Sequence, residues 1–249
     1  MNNVLTIAGF DPSGGAGILA DIKTFEANEV YGIAAVTALT YQNDMEFNGL
    51  EWIPEKKIKR QIETVSKRYS FNFVKIGIIE NLEILDNIVD FLKSINKKVK
   101  IIWDPVLKAS AGFEFHKNID KIKLKEICSN IYMLTPNLEE LMKMFPSGDY
   151  KENAKELSRD CIVYLKSAID KEAKKISDLV FYNQTIDIFE SEIINGFEKH
   201  GSGCVLSSAI TANLAKGMSL HESCKKAKEY ITIFLKSSSD LSGKHFKIQ

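Results

Sequence analysis

Short apolar runs bounded by turn residues recur along the chain, at Val4–Ala8, Ile33–Leu39, Phe73–Ile76, Lys100–Trp103, Ile131–Thr135, Cys161–Leu165 and Leu179–Tyr182. Each has the length of a strand. Between most of them lie helical patterns, such as Glu55–Tyr69 and Asn81–Asn96. In the latter, Leu82, Leu85, Ile88, Val89, Leu92 and Ile95 recur at three- and four-residue steps and form one apolar stripe. Strands that alternate with helices need crossover connections. The predicted fold class is therefore α/β, three-layered, with a mainly parallel central sheet, helices on both faces and right-handed crossovers.

Further helices are expected over Ile18 to Ala27, Gly203–Lys216 and Leu220–Lys236. The segment Leu179–Glu190, with two strand-like runs around Asn183-Gln184, predicts an antiparallel hairpin, and the lysine-rich Asp170–Asp178 reads as a solvated connector. No linker, repeat or low-complexity stretch divides the chain, so one domain over residues 1–249 is expected.

Composition narrows the function. The 33 basic and 33 acidic residues balance, with no long block of one sign, so no nucleic-acid surface is expected. Cys128, Cys161, Cys204 and Cys224 show no Cys-x-x-Cys spacing, which suits neither a disulfide framework nor a zinc site and implies a reduced, cytoplasmic setting. The opening run into Val4–Ala8 lacks a basic leader and is too short to cross a bilayer, so neither export nor a membrane span is expected.

Two glycine loops carry the chemistry. The first strand ends in Ala8-Gly9-Phe10-Asp11-Pro12-Ser13-Gly14-Gly15-Ala16-Gly17 and leads into a helix. Glycines there let backbone approach a ligand, although the loop is neither a Walker sequence nor a clean Gly-x-Gly-x-x-Gly, and a plain tight turn is the alternative. The second, His200-Gly201-Ser202-Gly203-Cys204, precedes a helix of small residues whose free amides and positive end suit an anion. Phosphoryl transfer needs such charge stabilisation; an ordinary glycine turn with a packed thiol is the alternative.

Taken together, the loops resemble those of the ribokinase superfamily, and within it the hydroxymethylpyrimidine and phosphomethylpyrimidine kinases of thiamin biosynthesis. The resemblance rests on the two loops with Ala20-Asp21-Ile22-Lys23-Thr24-Phe25, Thr37-Ala38-Leu39-Thr40-Tyr41-Gln42-Asn43, Val74-Lys75-Ile76-Gly77, Asp104-Pro105-Val106 and Leu134-Thr135-Pro136-Asn137-Leu138 with Glu140. It implies a ribokinase-like fold and transfer of the ATP γ-phosphate to a small molecule, the pyrimidine alcohol, then to its monophosphate, with Mg2+ required. By position it implies that Gly9, Asp21, Gln42, Ile78 and Val106 face the pyrimidine, and that Asn137, Lys166 and Ser202 bind ATP. It further implies that Asp104 and Glu140 hold the metal, and that Cys204 is the base in an anion loop with Gly201, Ser202 and Gly203. A thiol at a helix N-terminus is expected to have a lowered pKa. A homodimer is also implied.

The chain departs from that pattern at Lys166-Ser167-Ala168-Ile169, where the family usually follows the lysine with Gly-Gly-His. Two side chains replace glycines, so close backbone approach or a positive φ is in question, with a reshaped nucleotide pocket or weakened ATP binding as the consequence. Ile78 stands where methionine is common, Ser110 where lysine is frequent, with Lys108 two residues earlier, and Lys199 where threonine is usual. A pyridoxal-type kinase of the same superfamily and a pyrimidine-binding homologue with impaired ATP use are the competing readings.

Overall fold

The computed structural model describes residues 2–108, Phe115, 119–170, 175–192 and 199–247. The chain opens with β1 (Asn3–Phe10), α1 (Gly17–Ala27), β2 (Tyr31–Gln42) and β3 (Phe47–Trp52). It continues through α2 (Glu55–Ser66), β4 (Phe73–Ile76), α3 (Leu82–Ile95), β5 (Lys100–Trp103), α4 (Lys121–Cys128) and β6 (Met133–Leu134). Then come α5 (Leu138–Met144), α6 (Tyr150–Leu157), β7 (Ile162–Asp170), β8 (Lys175–Tyr182), β9 (Thr185–Glu192), α7 (Ser202–Ala215) and α8 (Leu220–Lys236).

The strands form one sheet in the order β3-β2-β1-β4-β5-β6-β7-β8-β9. From β2 through β7 neighbours run parallel, and β3, β8 and β9 extend the two sides antiparallel. The period-two alternation of the strands sorts their side chains into two layers. Leu5, Ile7, Val74, Ile76, Ile101 and Trp103 pack on α2 to α6, while Ile102, Met133 and Tyr164 pack on α7 and α8. The expected three-layer α/β architecture is thus the one observed. Helix α7 is buried at every position from Val205 to Leu214, because α1, α8 and the sheet surround it.

The sheet order fixes where a ligand can bind. After β1 the chain moves to β2 on one side and later returns to β4 on the other, so β1 and β4 flank a topological switch point. At such a point the connections diverge and leave a crevice beyond the carboxyl ends of the strands.

Three elements were not anticipated. β3 is a six-residue edge strand, and α4 and α6 are eight-residue helices started by the side chains of Asp120 and Asp149, each accepting two backbone N–H groups. One expectation is corrected: residues 175–178, read as solvated connector, belong to β8, and Asp178 is 1 % exposed. Its charge is met by Lys228, fifty residues on in α8, a partner that local composition does not reveal. The predicted hairpin forms, with Asn183 and Gln184 both at positive φ (46° and 63°), the pattern of a type I′ turn.

Candidate active site

A cavity of about 220 Å³ lies at the switch point, below the roughly 300–1,000 Å³ of drug-sized ligand pockets and so suited to a single ring. It is lined by Ala8, Gly9, Thr40, Gln42, Ile78 and Val106, by His200, Gly201, Ser202, Gly203 and Cys204 of the loop into α7, and by Asp104, Lys108, Asn137, Glu140 and Lys166. Phe115 also borders it. Gly9 packs closely under Ile78, since a Cβ there would lie 2.5 Å from Cδ1 of Ile78 and that side chain would have to shift.

The two glycine loops touch. Gly201, at φ +73°, is the N-cap of α7, and a Cβ on it would sit 2.0 Å from the Gly15 carbonyl oxygen. Asp11 bridges the loops, accepting from Ser13 N, Ser13 Oγ and Ala16 N at 2.8–2.9 Å and lying 2.8 Å from His200 Nε2. Burial alone would raise the Asp11 carboxyl, but the bonds from His200, Ser13 and Ala16 outweigh it and hold it below the usual range. No side chain caps α7 and no acid lies in its first turn, so its positive end faces the cavity.

Cys204 sits in that first turn and borders the cavity. Its thiol is pushed up to about 11, by burial first, with Asp21 and Asp104 adding and Lys75 opposing. This corrects the expectation of a lowered pKa: desolvation and two nearby carboxylates outweigh the helix terminus and the lysine.

Asp21, expected at the ring, lies one layer below the cavity wall with no exposed surface. Its carboxylate accepts from Lys75 Nζ (2.7 Å), Thr6 Oγ1 (2.6 Å) and Ser208 Oγ (2.7 Å). Burial pulls the equally buried Lys75 ammonium down, and Asp21, with Cys204 and Asp104 beyond it, more than reverses this. Lys75 interrupts the apolar run of β4, the one sequence signal of a buried partner; Phe115 gave none.

Asp104 accepts from Lys166 Nζ (2.7 Å), Thr135 Oγ1 (3.1 Å) and Ser207 Oγ (3.1 Å). Glu140 and Asn137 form a capping box at α5, each side chain accepting the other's backbone N–H at 2.7 Å. Lys166 Nζ lies 3.9 Å from Glu140 and faces Gly203. Burial, with Asp104 adding, raises Glu140 to about 7 although Lys166 opposes it. Ser167 keeps a positive φ of 53° without being glycine. Ser110 falls outside the described residues. Among the described residues no three His, Cys, Asp or Glu side chains form a metal cluster, and no helix is long and apolar enough to cross a membrane.

A crevice at the switch point of a three-layer α/β sheet, with an open helix terminus facing a lysine and two carboxylates, defines the class: a phosphotransferase acting on a small molecule. The sequence profile described as phosphomethylpyrimidine kinase matches residues 11–249, and the chain belongs to that family. The hydroxymethylpyrimidine/phosphomethylpyrimidine kinase of Aquifex aeolicus is 32 % identical, over 98 % of each chain. A solved phosphomethylpyrimidine kinase from Clostridium difficile superposes with a TM-score of 0.78 at 33 % identity, covering 94 % of this chain and 99 % of that one. The ADP complex of Bacillus subtilis pyridoxal kinase gives 0.84 at 29 %, covering 98 % and 97 %.

Proposed function

We propose that the chain transfers the γ-phosphate of ATP to the hydroxymethyl group of 4-amino-5-hydroxymethyl-2-methylpyrimidine, and then phosphorylates the monophosphate, in thiamin biosynthesis. The observation that carries this is one small cavity in which a ring-sized slot with one amide, Gln42, adjoins an uncapped helix terminus. Gly9, Ile78 and Val106 sandwich the ring and Gln42 hydrogen-bonds its edge, so analogues lacking that edge leave a polar group unpaired.

The amides of Gly201, Gly203 and Cys204 receive the moving phosphoryl group at the positive end of α7, beside the Ser202 N–H that donates to the Lys199 carbonyl at 3.2 Å. Lys166 neutralises charge on the nucleotide phosphates, and Asn137 holds the nucleotide side of the cleft. Cys204 touches the acceptor hydroxyl and takes its proton late, since a thiol near 11 is a weak base before transfer is under way. Asp21 acts from below, holding Lys75 under Cys204.

Asp104 and Glu140 fit a magnesium site, because both border the cavity and burial, with the Asp104 carboxylate adding, raises Glu140 to about 7 even with Lys166 nearby, which a cation would relieve. A magnesium ion held by them largely through water would screen the β- and γ-phosphates. A cytoplasmic homodimer completes the reading; all four cysteines are free, and sedimentation velocity reads the assembly state.

The test is a product-resolved assay with magnesium and ATP across the pyrimidine alcohol, its monophosphate and pyridoxal. Both pyrimidine products are expected. No product above a no-enzyme control overturns the reading, and a kcat/KM about tenfold higher for pyridoxal, ~1.4 kcal/mol, transfers it to a pyridoxal-type kinase.

A further inference from the structure

Strand β7 is not regular where it leaves the sheet. Leu165 pairs with Leu179 and Ala168 with Ser177, so Lys166 and Ser167 together stand opposite Asp178. The extra residue shifts the alternation: Val163, Leu165 and Ala168 all pack in the α2–α6 layer, whereas an unbroken strand would turn Ala168 to the other face. Such a bulge sets the direction of the residues within it, and Lys166 is one of the two, on the α7 side, with Ala168 after it turned back to the α2–α6 layer. The Lys166 N–H goes to the Pro136 carbonyl at 2.8 Å, and its ammonium goes to Asp104 at 2.7 Å.

The bulge depends on Ser167 at φ +53°, a conformation that glycine takes freely and serine resists. Its N–H donates to Asp178 Oδ1 at 2.8 Å, while Asp178 Oδ2 accepts from Tyr164 at 2.7 Å and meets Lys228 Nζ at 2.9 Å. Asp178 is buried, does not border the cavity, and is fixed from both the sheet and α8.

We propose that Asp178 is a positioning residue: by holding the Ser167 N–H it fixes the left-handed bulge and thereby aims Lys166 at the phosphate-transfer site. Where the resembling kinases place glycine, intrinsic freedom admits this conformation; in this chain a buried acceptor imposes it. The inference rests on the kinase reading for what Lys166 does, and not for where Lys166 points.

The experiment compares full-length Ser167→Gly, Ser167→Val, Asp178→Ala and the Asp178→Ala/Ser167→Gly pair for kcat, KM for ATP, melting temperature and labelling of Lys166 by an amine acylating reagent, read by peptide mass spectrometry. Ser167→Gly should match the parent. Ser167→Val, at an exposed position but with branching that disfavours positive φ, should lose about tenfold or more in kcat/KM for ATP and expose Lys166 to label, with a smaller fall in melting temperature than Asp178→Ala. Asp178→Ala should lose activity and melt lower, and adding Ser167→Gly should restore most of kcat and the protection of Lys166 without restoring the melting temperature.

Activity that simply follows melting temperature, or a double variant no better than Asp178→Ala, overturns the proposal. If Asp178→Ala does not fold, the contrast between Ser167→Val and Ser167→Gly decides. If the parent transfers no phosphate to any acceptor, the kinase reading fails, and the labelling pattern still decides this inference: equal protection of Lys166 in all folded variants overturns it.

Discussion

Cys204 borders the cavity as a thiol pushed up to about 11 by burial, so at neutral pH the thiolate is a small minority species. In nucleotide-free protein its alkylation by iodoacetamide should therefore rise about tenfold per pH unit from 7 to 10; a plateau below pH 9 would show a lowered pKa instead. Because a loose transition state needs positioning more than base strength, Cys204→Ser should keep a measurable fraction of turnover, while Cys204→Ala should lose about 10²-fold or more in kcat. Lys75 carries the second residue-scale prediction. Lys75→Met leaves the Asp21 carboxylate buried without its cation and should cost about 3–5 kcal/mol in denaturant unfolding, with Lys75→Met/Asp21→Leu recovering much of it. Motif likeness places Asp21 at the ring; only the fold reveals that Thr6, Lys75 and Ser208 enclose it, because those partners come from three separate elements.

At the scale of elements, what was legible follows what is periodic. Helix α3 and strands β4, β5 and β7 show their faces in the chain because burial on one side or both writes a period of 3.6 or a short apolar run. α4 and α6 are too short for a stripe and owe their start to caps, β3 pairs along one side with β2 at the sheet edge, and the first half of β8 carries Asp178, whose partner Lys228 lies fifty residues on. The glycine turn leading into α7 was legible, but not its closure against Gly15. Gly201→Ala tests that closure: with positive φ and 2.0 Å to the Gly15 oxygen, the added methyl must separate the loops, and kcat should fall by about 10²-fold while the fold persists. At the β8–β9 turn, Gln184 occupies a left-handed position that glycine prefers, so Gln184→Gly should raise unfolding stability by about 0.5–1 kcal/mol without touching kcat.

Over the whole molecule, the segment after α8 folds back and meets the loop before α7 and the β2–β3 turn. The Leu241 carbonyl accepts the His200 N–H at 2.9 Å, Lys199 donates to the carbonyls of Ser238 and Asp240, and Ser242 reaches Asp44 beside β2. His245 anchors this segment between Tyr230 and Phe234, and burial, with Lys23 adding, lowers its pKa to about 4. Near pH 5 the unfolded chain, with an ordinary histidine, binds a proton that the folded chain refuses. Stability must therefore rise with pH between about 4 and 6.5, be complete above that window, and be lost as pH falls through it. A shift of this size corresponds to at most about 3 kcal/mol, and partial exposure of the ring reduces it to roughly 1–2 kcal/mol. Denaturant unfolding from pH 4 to 7 should show that slope, and His245→Leu should flatten it. Because the same segment holds His200, acid should also lower turnover in the parent within that window more steeply than in His245→Leu; parallel activity profiles would mean that the docked segment does not support the anion loop.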